Sequence, residues 1–220
     1  MKRELLAQLL VAQSQRRAVA MVTNTVTGEQ RIVPRADAVA GSDLEKAFRF
    51  DKSGMQGDAF VAIHNPPLRL VIIGAVLIAQ SVIPVAQACG YDVTVIDPRG
   101  AFATGARFPD VSLHADWPQD ILPKLGLDSR TGFIALTHDP KIDDPALELA
   151  LKSGVFYIGA LGSKKTQAAR HERLAKMGFG EATRARISGP IGLSIGAIGA
   201  AEIAISIMAE MTKALRLGLT

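Results

Sequence analysis

The sequence predicts an α/β protein built on a doubly wound parallel sheet, preceded by a small N-terminal α/β domain. Three observations predict it. LRLVIIG (68–74) is a short run rich in Val, Ile and Leu, as suits a strand buried on both faces, and it ends in a glycine turn. A helical stretch to Gly90 and a second apolar run closed by an acid, DVTVID (92–97), complete a strand–glycine–helix–strand–acid unit. That is the dinucleotide-binding arrangement, with its acid about 20 residues beyond the glycines. From there to residue 216, apolar runs alternate with helical stretches, which is the pattern of a Rossmann-like sheet with helices on both faces.

The elements follow in order. Leu5, Leu6, Leu9 and Leu10 have helical spacing, predicting a helix over 4–15. AVAMVT (18–23) and EQRIV (29–33) flank a turn containing Gly28 and predict a hairpin. Ser42 opens a short helix within 41–56, and DAFVAIH (58–64) is a strand. Asn65-Pro66-Pro67 breaks the chain, which places a domain boundary between residues 1–65 and 66–220. Strands are then expected near 68–74, 92–97, 111–115, 131–137, 155–159 and 186–188. Helices are expected near 77–89, 118–125, 144–153, 164–177 and 200–216. The third of these helices starts at Asp144-Pro145, a capping carboxylate followed by a proline.

Composition narrows the function. The 220 residues are 48% hydrophobic and 21% charged, which is globular rather than disordered. The formal charge is +4 and the densest basic zone, residues 164–186, holds a single aromatic, Phe179, and no alternation of basic and aromatic residues. A stacking platform for single-stranded nucleic acid is therefore not expected, and a small anionic ligand explains the charge as well as a polyanion would. Cys89 is the only cysteine, so no intrachain disulfide and no C-x-x-C metal site exist; it reads as a small buried hydrophobe at a helix end. MKRELLAQLL lacks the apolar core of a signal peptide, and the most apolar stretch, 187–201, is broken by glycines and a proline and falls short of a membrane span. A cytoplasmic protein is expected.

In such a sheet, ligands meet the loops beyond the carboxyl ends of the strands. The first loop, Gly74-Ala75-Val76-Leu77, keeps the opening glycine but places Val76 where a second glycine normally admits a pyrophosphate, which makes NAD(P) doubtful. In the second, Asp97 can accept a ribose hydroxyl or Arg99 can meet a phosphate; the bland reading is a turn with a solvated arginine. In the third, His138 beside Asp139 can move a proton or bind ligand, or simply turn to solvent. The fourth carries Gly162, Ser163 and Lys164 into a helix: an anion nest, a helix cap, or both. In the fifth, Gly192 lies among glycines that permit close backbone approach. His64 and His114 belong to strands, and His171 lies among exposed helical charges.

Taken together, GYDVTVIDPR (90–99), Arg107-Phe108-Pro109, THDPKIDDPAL (137–147), YIGALGSKK (157–165) and GPIGLSIGA with AEIAISIMAE (189–197, 201–210) resemble the XdhC/CoxI family over about residues 68–211. The resemblance implies a Rossmann domain and a self-associating protein. It also implies binding of the molybdenum cofactor, with help in loading its sulfurated form into a molybdenum hydroxylase such as xanthine dehydrogenase. Such a protein acts as a chaperone more than as a catalyst. The sequence departs from the family at Val76 and Leu77, where a GAGH-type turn is usual, at Gly199-Ala200, where a Thr-Pro pair is usual, and in having no cysteine before Cys89.

The leading reading is thus a cofactor-binding accessory protein with no evident nucleophile. The alternatives are an NAD(P)-binding oxidoreductase and a degenerate structural partner that binds nothing. Self-association has its own signal. Ile203, Ile205, Ile207, Met208, Met211 and Leu215 span more than one helical stripe; the glycine loop before them places the helix at the end strand of the sheet, and a homodimer that buries some of these side chains is expected, the alternative being cover by the N-terminal domain.

Overall fold

The computed structural model describes residues 2–218 and divides into two compact units, one ending at Pro66 and one beginning at Pro67. The first unit holds α1 (Arg3–Ser14), β1 (Val19–Asn24), β2 (Gln30–Pro34), a 3₁₀ turn (Arg35–Asp37), α2 (Asp43–Phe50), β3 (Gly54–Gln56) and β4 (Ala59–His64). Its strands form an antiparallel sheet in the order β2-β1-β4-β3. The β1–β2 turn closes because Asn24 Oδ1 accepts from the backbone N–H groups of Val26 and Thr27 at 2.9 and 2.8 Å. Ser42 caps α2 by accepting from Glu45 N, which brings Phe48 down, fully buried, against Ala20 and Val61. Strand β3 was not expected: at three residues it is too short to show alternation.

The second unit runs β5 (Leu68–Ile73), α3 (Leu77–Ala88), β6 (Tyr91–Ile96), β7 (Ser112–His114), α4 (Pro118–Leu125), β8 (Thr131–Ala135), α5 (Pro140–Lys152), β9 (Tyr157–Ala160), α6 (Lys164–Lys176), α7 (Glu181–Arg184), β10 (Ile187–Ser188) and α8 (Ala200–Leu217). All six strands are parallel, in the order β10-β9-β8-β5-β6-β7. The order reverses between β5 and β8, so this is the doubly wound arrangement with its switch point beside the first strand. Alternate residues of β5 serve the two faces. Leu70 and Ile72 join the side chains of α3 and α8, whereas Val71 and Ile73 join those of α4 and α5. Each such side chain, buried on folding, contributes about 1.5–3 kcal/mol.

The structure departs from four expectations. Helix α5 starts at Pro140 with Asp139 as its cap, not at Asp144-Pro145. The Asp-Pro signature occurs at both places, and only the earlier start puts Ile142 into the core alongside Ala146 and Leu147. Asp144 is buried and pairs with Arg173 instead of capping. Helix α8 does not lie at the end strand. It packs beside α3 over the centre of the sheet, where a Cβ on Gly132 of β8 would stand 2.5 Å from Met211 Cε. Most of its apolar surplus is thereby used within the chain: Ile207, Met208 and Met211 are buried, and Ile205 stays 56% exposed. Cys89 is exposed rather than buried, and His171 is partly buried rather than exposed.

Candidate functional site

The carboxyl ends of β5 and β8 meet at the switch point. Gly74 has φ +112, and a Cβ there would stand 2.9 Å from Thr137 Cγ2, so only glycine lets the two strand ends approach this closely. Ala75 is buried, and its N–H donates to Asp97 Oδ2 at 2.8 Å. Asp97 is wholly buried and receives three further bonds, from Arg99 N and Nε on Oδ1 and from Arg99 Nη2 on Oδ2. Burial alone would push its carboxyl up, but the bonds from Arg99 and Ala75 outweigh this and hold it below the usual value. All four acceptor positions of the carboxylate are filled by its own chain. Asp97 therefore ties the glycine turn to the loop after β6, and the ribose-acceptor role considered for it falls away in this geometry.

Beyond β8, His138 takes a left-handed φ of +63 and is exposed, and no side-chain bond is formed by its ring among the described residues. Asp139 does not pair with it. Its Oδ1 accepts from Lys141 N at 2.9 Å as the cap of α5. The two residues are chain neighbours with separate duties, not an acid–base pair.

Beneath them runs a buried polar network that the sequence reading missed. Thr137 Oγ1 donates to Asp143 Oδ1 at 2.7 Å, and Asp143 Oδ2 faces Arg170 Nη2 at 3.7 Å. Arg170 donates to Gln167 Oε1 and to the Leu161 carbonyl, and Gln167 donates to the Ala160 carbonyl. The network joins the ends of β8 and β9. Burial drives the Asp143 carboxyl above its ordinary value, against the opposing effects of Thr137 and Arg170. A signal was available in the sequence: Gln167, Arg170 and Leu174 have the spacing of a buried stripe, with polar residues at two of the three places.

The fourth and fifth loops come together. Ser163 caps α6 by accepting from Thr166 N, and Gly162 before it has φ +140, with Thr166 Cγ2 2.8 Å from where a Cβ would be. Lys164 and Lys165 then occupy the first turn of α6, which contains no acid. Two cations at the positive end of a helix are unfavourable unless an anion answers them. Lys164 lines a cavity of about 360 Å³ together with Gly192, Leu193, Ser194, Ile195 and Ile203. The loop wall is fixed from behind by Glu210 Oε2, which accepts from Gly192 N at 2.9 Å and from the buried Tyr157 hydroxyl. Burial, then the nearby Glu210, pushes that hydroxyl well above its ordinary pKa. The N–H groups of Ser194, Gly196 and Ala197 carry no backbone or side-chain bond among the described residues.

Over residues 70–211 the sequence matches the family described as the XdhC Rossmann domain. The chain belongs to the XdhC family. It is 29% identical over 160 residues to the "Molybdenum cofactor insertion chaperone PaoD" of Escherichia coli, covering 73% of this chain and 44% of that protein. It is 30% identical over 153 residues to a Bacillus subtilis protein described as a probable xanthine dehydrogenase subunit, covering 69% and 44%. A crystal structure described as a xanthine dehydrogenase from Bacillus halodurans superposes with a TM-score of 0.69 at 26% identity, over 97% of this chain and 64% of that one. The chain thus spans less than half the length of these two curated relatives. Within the XdhC domain, Gly74, Ala75, Asp97, Arg99, His138 and Asp139 belong to loops after β5, β6 and β8, whereas Lys164 and Gly192 share the cavity. Cys89 caps the far end of α3, a helix of 12 residues or about 18 Å, away from the carboxyl edge. Among the described residues no cluster of His, Cys, Asp and Glu could hold a metal ion, and no helix is long and apolar enough to cross a membrane.

Proposed function

We propose that this chain binds the molybdenum cofactor as cargo and delivers it to a molybdenum hydroxylase of the xanthine dehydrogenase type. The observation that carries the reading is the cavity between α6 and the loop before α8. Its volume, about 360 Å³, lies within the range of small-ligand sites. Lys164 and the positive end of α6 favour the phosphate of a phosphorylated pterin, and Ile191, Leu193, Ile195 and Ile203 offer apolar surface to a flat ring. The unpaired N–H groups of Ser194, Gly196 and Ala197 are donors for its polar edge. Cys89 stands too far away to offer a thiolate there. The chain's residues bind and shield; among the described residues none is arranged as a nucleophile with a base.

The protein works in the cytoplasm beside its hydroxylase. It is also a homodimer, closed through the apolar side chains left uncovered near the starts of α3 and α8: Leu77, Ile198 and Ile205, which are 56–89% exposed.

Reconstitution tests the function. Cofactor-free hydroxylase is mixed with free cofactor or with cofactor pre-incubated with this chain, and the appearance of activity is timed. Faster activation in the second mixture, lost with Lys164→Ala, is the expected result. Equal rates in the two mixtures overturn the proposal.

A further inference from the structure

The loop after β6 is built around one exposed ring. The guanidinium of Arg99 lies 4.6 Å from the Phe102 centroid, and that of Arg107 lies 5.9 Å from the same centroid and 5.3 Å from that of Phe108. The loop is held in place. Arg107 Nη1 donates to the Phe102 carbonyl at 2.8 Å, and Gln80 Nε2 of α3 donates to the Arg107 carbonyl at 3.0 Å. Phe108 is buried beneath it.

The charges at this place are unequal. Asp97 spends its whole carboxylate on Ala75 and Arg99, and Arg107 has no carboxylate partner among the described residues. Arg99 keeps Nη1 free of any bond, and Nε and Nη2 of Arg107 are free as well. In sheets of this strand order, an available acid at the end of the second strand takes ribose hydroxyls, and an arginine there takes a phosphate on the ribose. Here the acid is unavailable, Arg99 is paired with it but keeps Nη1 open, and the Arg107 guanidinium has no carboxylate partner among the described residues.

We propose that Arg99 and Arg107, spread over Phe102, form an anion subsite that takes a phosphomonoester and selects ligands carrying a phosphate there over ligands with a free ribose diol. The subsite lies after β6 and shares no residue with the cavity between α6 and the loop before α8. It therefore stands or falls apart from the cargo proposed above.

The probes are 2′,5′-ADP and 5′-AMP, which differ by one ribose phosphate. Neither contains a pyrophosphate, so Val76 does not obstruct them, and neither contains a pterin. Calorimetric titration of the full chain at low salt should find 2′,5′-ADP bound at least about tenfold more tightly, a difference of about 1.4 kcal/mol. Arg107→Ala should abolish most of that preference and leave 5′-AMP unchanged. Arg107→Gln, which keeps a donor for the Phe102 carbonyl, should do the same and serves if the alanine variant melts early. Equal affinities in the unmodified chain, failure of both nucleotides to bind, or a preference that survives both substitutions would overturn the subsite.

Discussion

Asp97 joins the two ends of the first β–α–β unit: one oxygen receives the Ala75 N–H, and both receive Arg99. Its folded pKa lies below the unfolded value of about 3.9, so its stabilisation is fully present above that pH and is lost as pH falls through the folded pKa. Asp97→Asn should cost about 2 kcal/mol at pH 7, as for buried bonds to a charged group, and less once the pH has fallen below the unfolded value. Denaturant titrations above and below that value check this. Asp143 has the opposite sign. Its raised pKa makes ionisation a penalty that grows as pH rises through the folded value. Asp143→Ala nevertheless leaves Arg170 buried without its carboxylate and should destabilise by about 3 kcal/mol, again read as a shift in denaturant midpoint. Val76 concerns ligands instead. It stands at the start of α3 with an extended φ of −102 and no side-chain cap, so Val76→Gly removes bulk without relieving backbone strain. Calorimetry should show about tenfold tighter NAD binding, and equal affinity would mean that the turn is not the obstacle. At this scale the sequence announced which residues gather at the strand ends but not which were already engaged. Nothing in DVTVIDPR tells a carboxylate facing a ribose from one that folds back on the arginine two places on.

At the scale of elements, the helices and strands of the second unit were legible because β5 and β6 are buried on both faces and read as continuous apolar runs. Helix α5 was misplaced because two Asp-Pro starts compete and only burial of Ile142 decides between them. Helix α7, at four residues, is shorter than any period that could reveal it. The position of α8 was misread for a related reason. A broad apolar surface says that a helix is covered on several sides, not by what, and here α3 and the centre of the sheet supply the cover. The element on which the proposed function leans most is the first turn of α6, where Lys164 and Lys165 oppose the helix dipole. Its charge was visible in the sequence, whereas the wall facing Lys164, held by Glu210 across 18 residues from Gly192, was not.

For the whole molecule, strand order reverses between β5 and β8, whereas the cavity proposed to hold cargo lies at the ends of β9 and β10, on one side of that reversal. Alternating apolar runs foretold the parallel sheet. The pairing of distant loops into one cavity depends on tertiary packing that no local pattern encodes. The self-association proposed above is settled by sedimentation at tens of micromolar: a dimer buries Leu77, Ile198 and Ile205, whereas a stable monomer of about 23 kDa leaves them free and contradicts it. The central claim is cargo binding in the lysine-flanked cavity, and titration of purified molybdopterin into the full chain and into Lys164→Ala tests it most directly. Saturable binding by the unmodified chain, weakened in the variant by about 1 kcal/mol or more, with a difference that shrinks as salt is raised, is the result expected. No binding by the unmodified chain, or the same affinity in both proteins at every salt concentration, would contradict it.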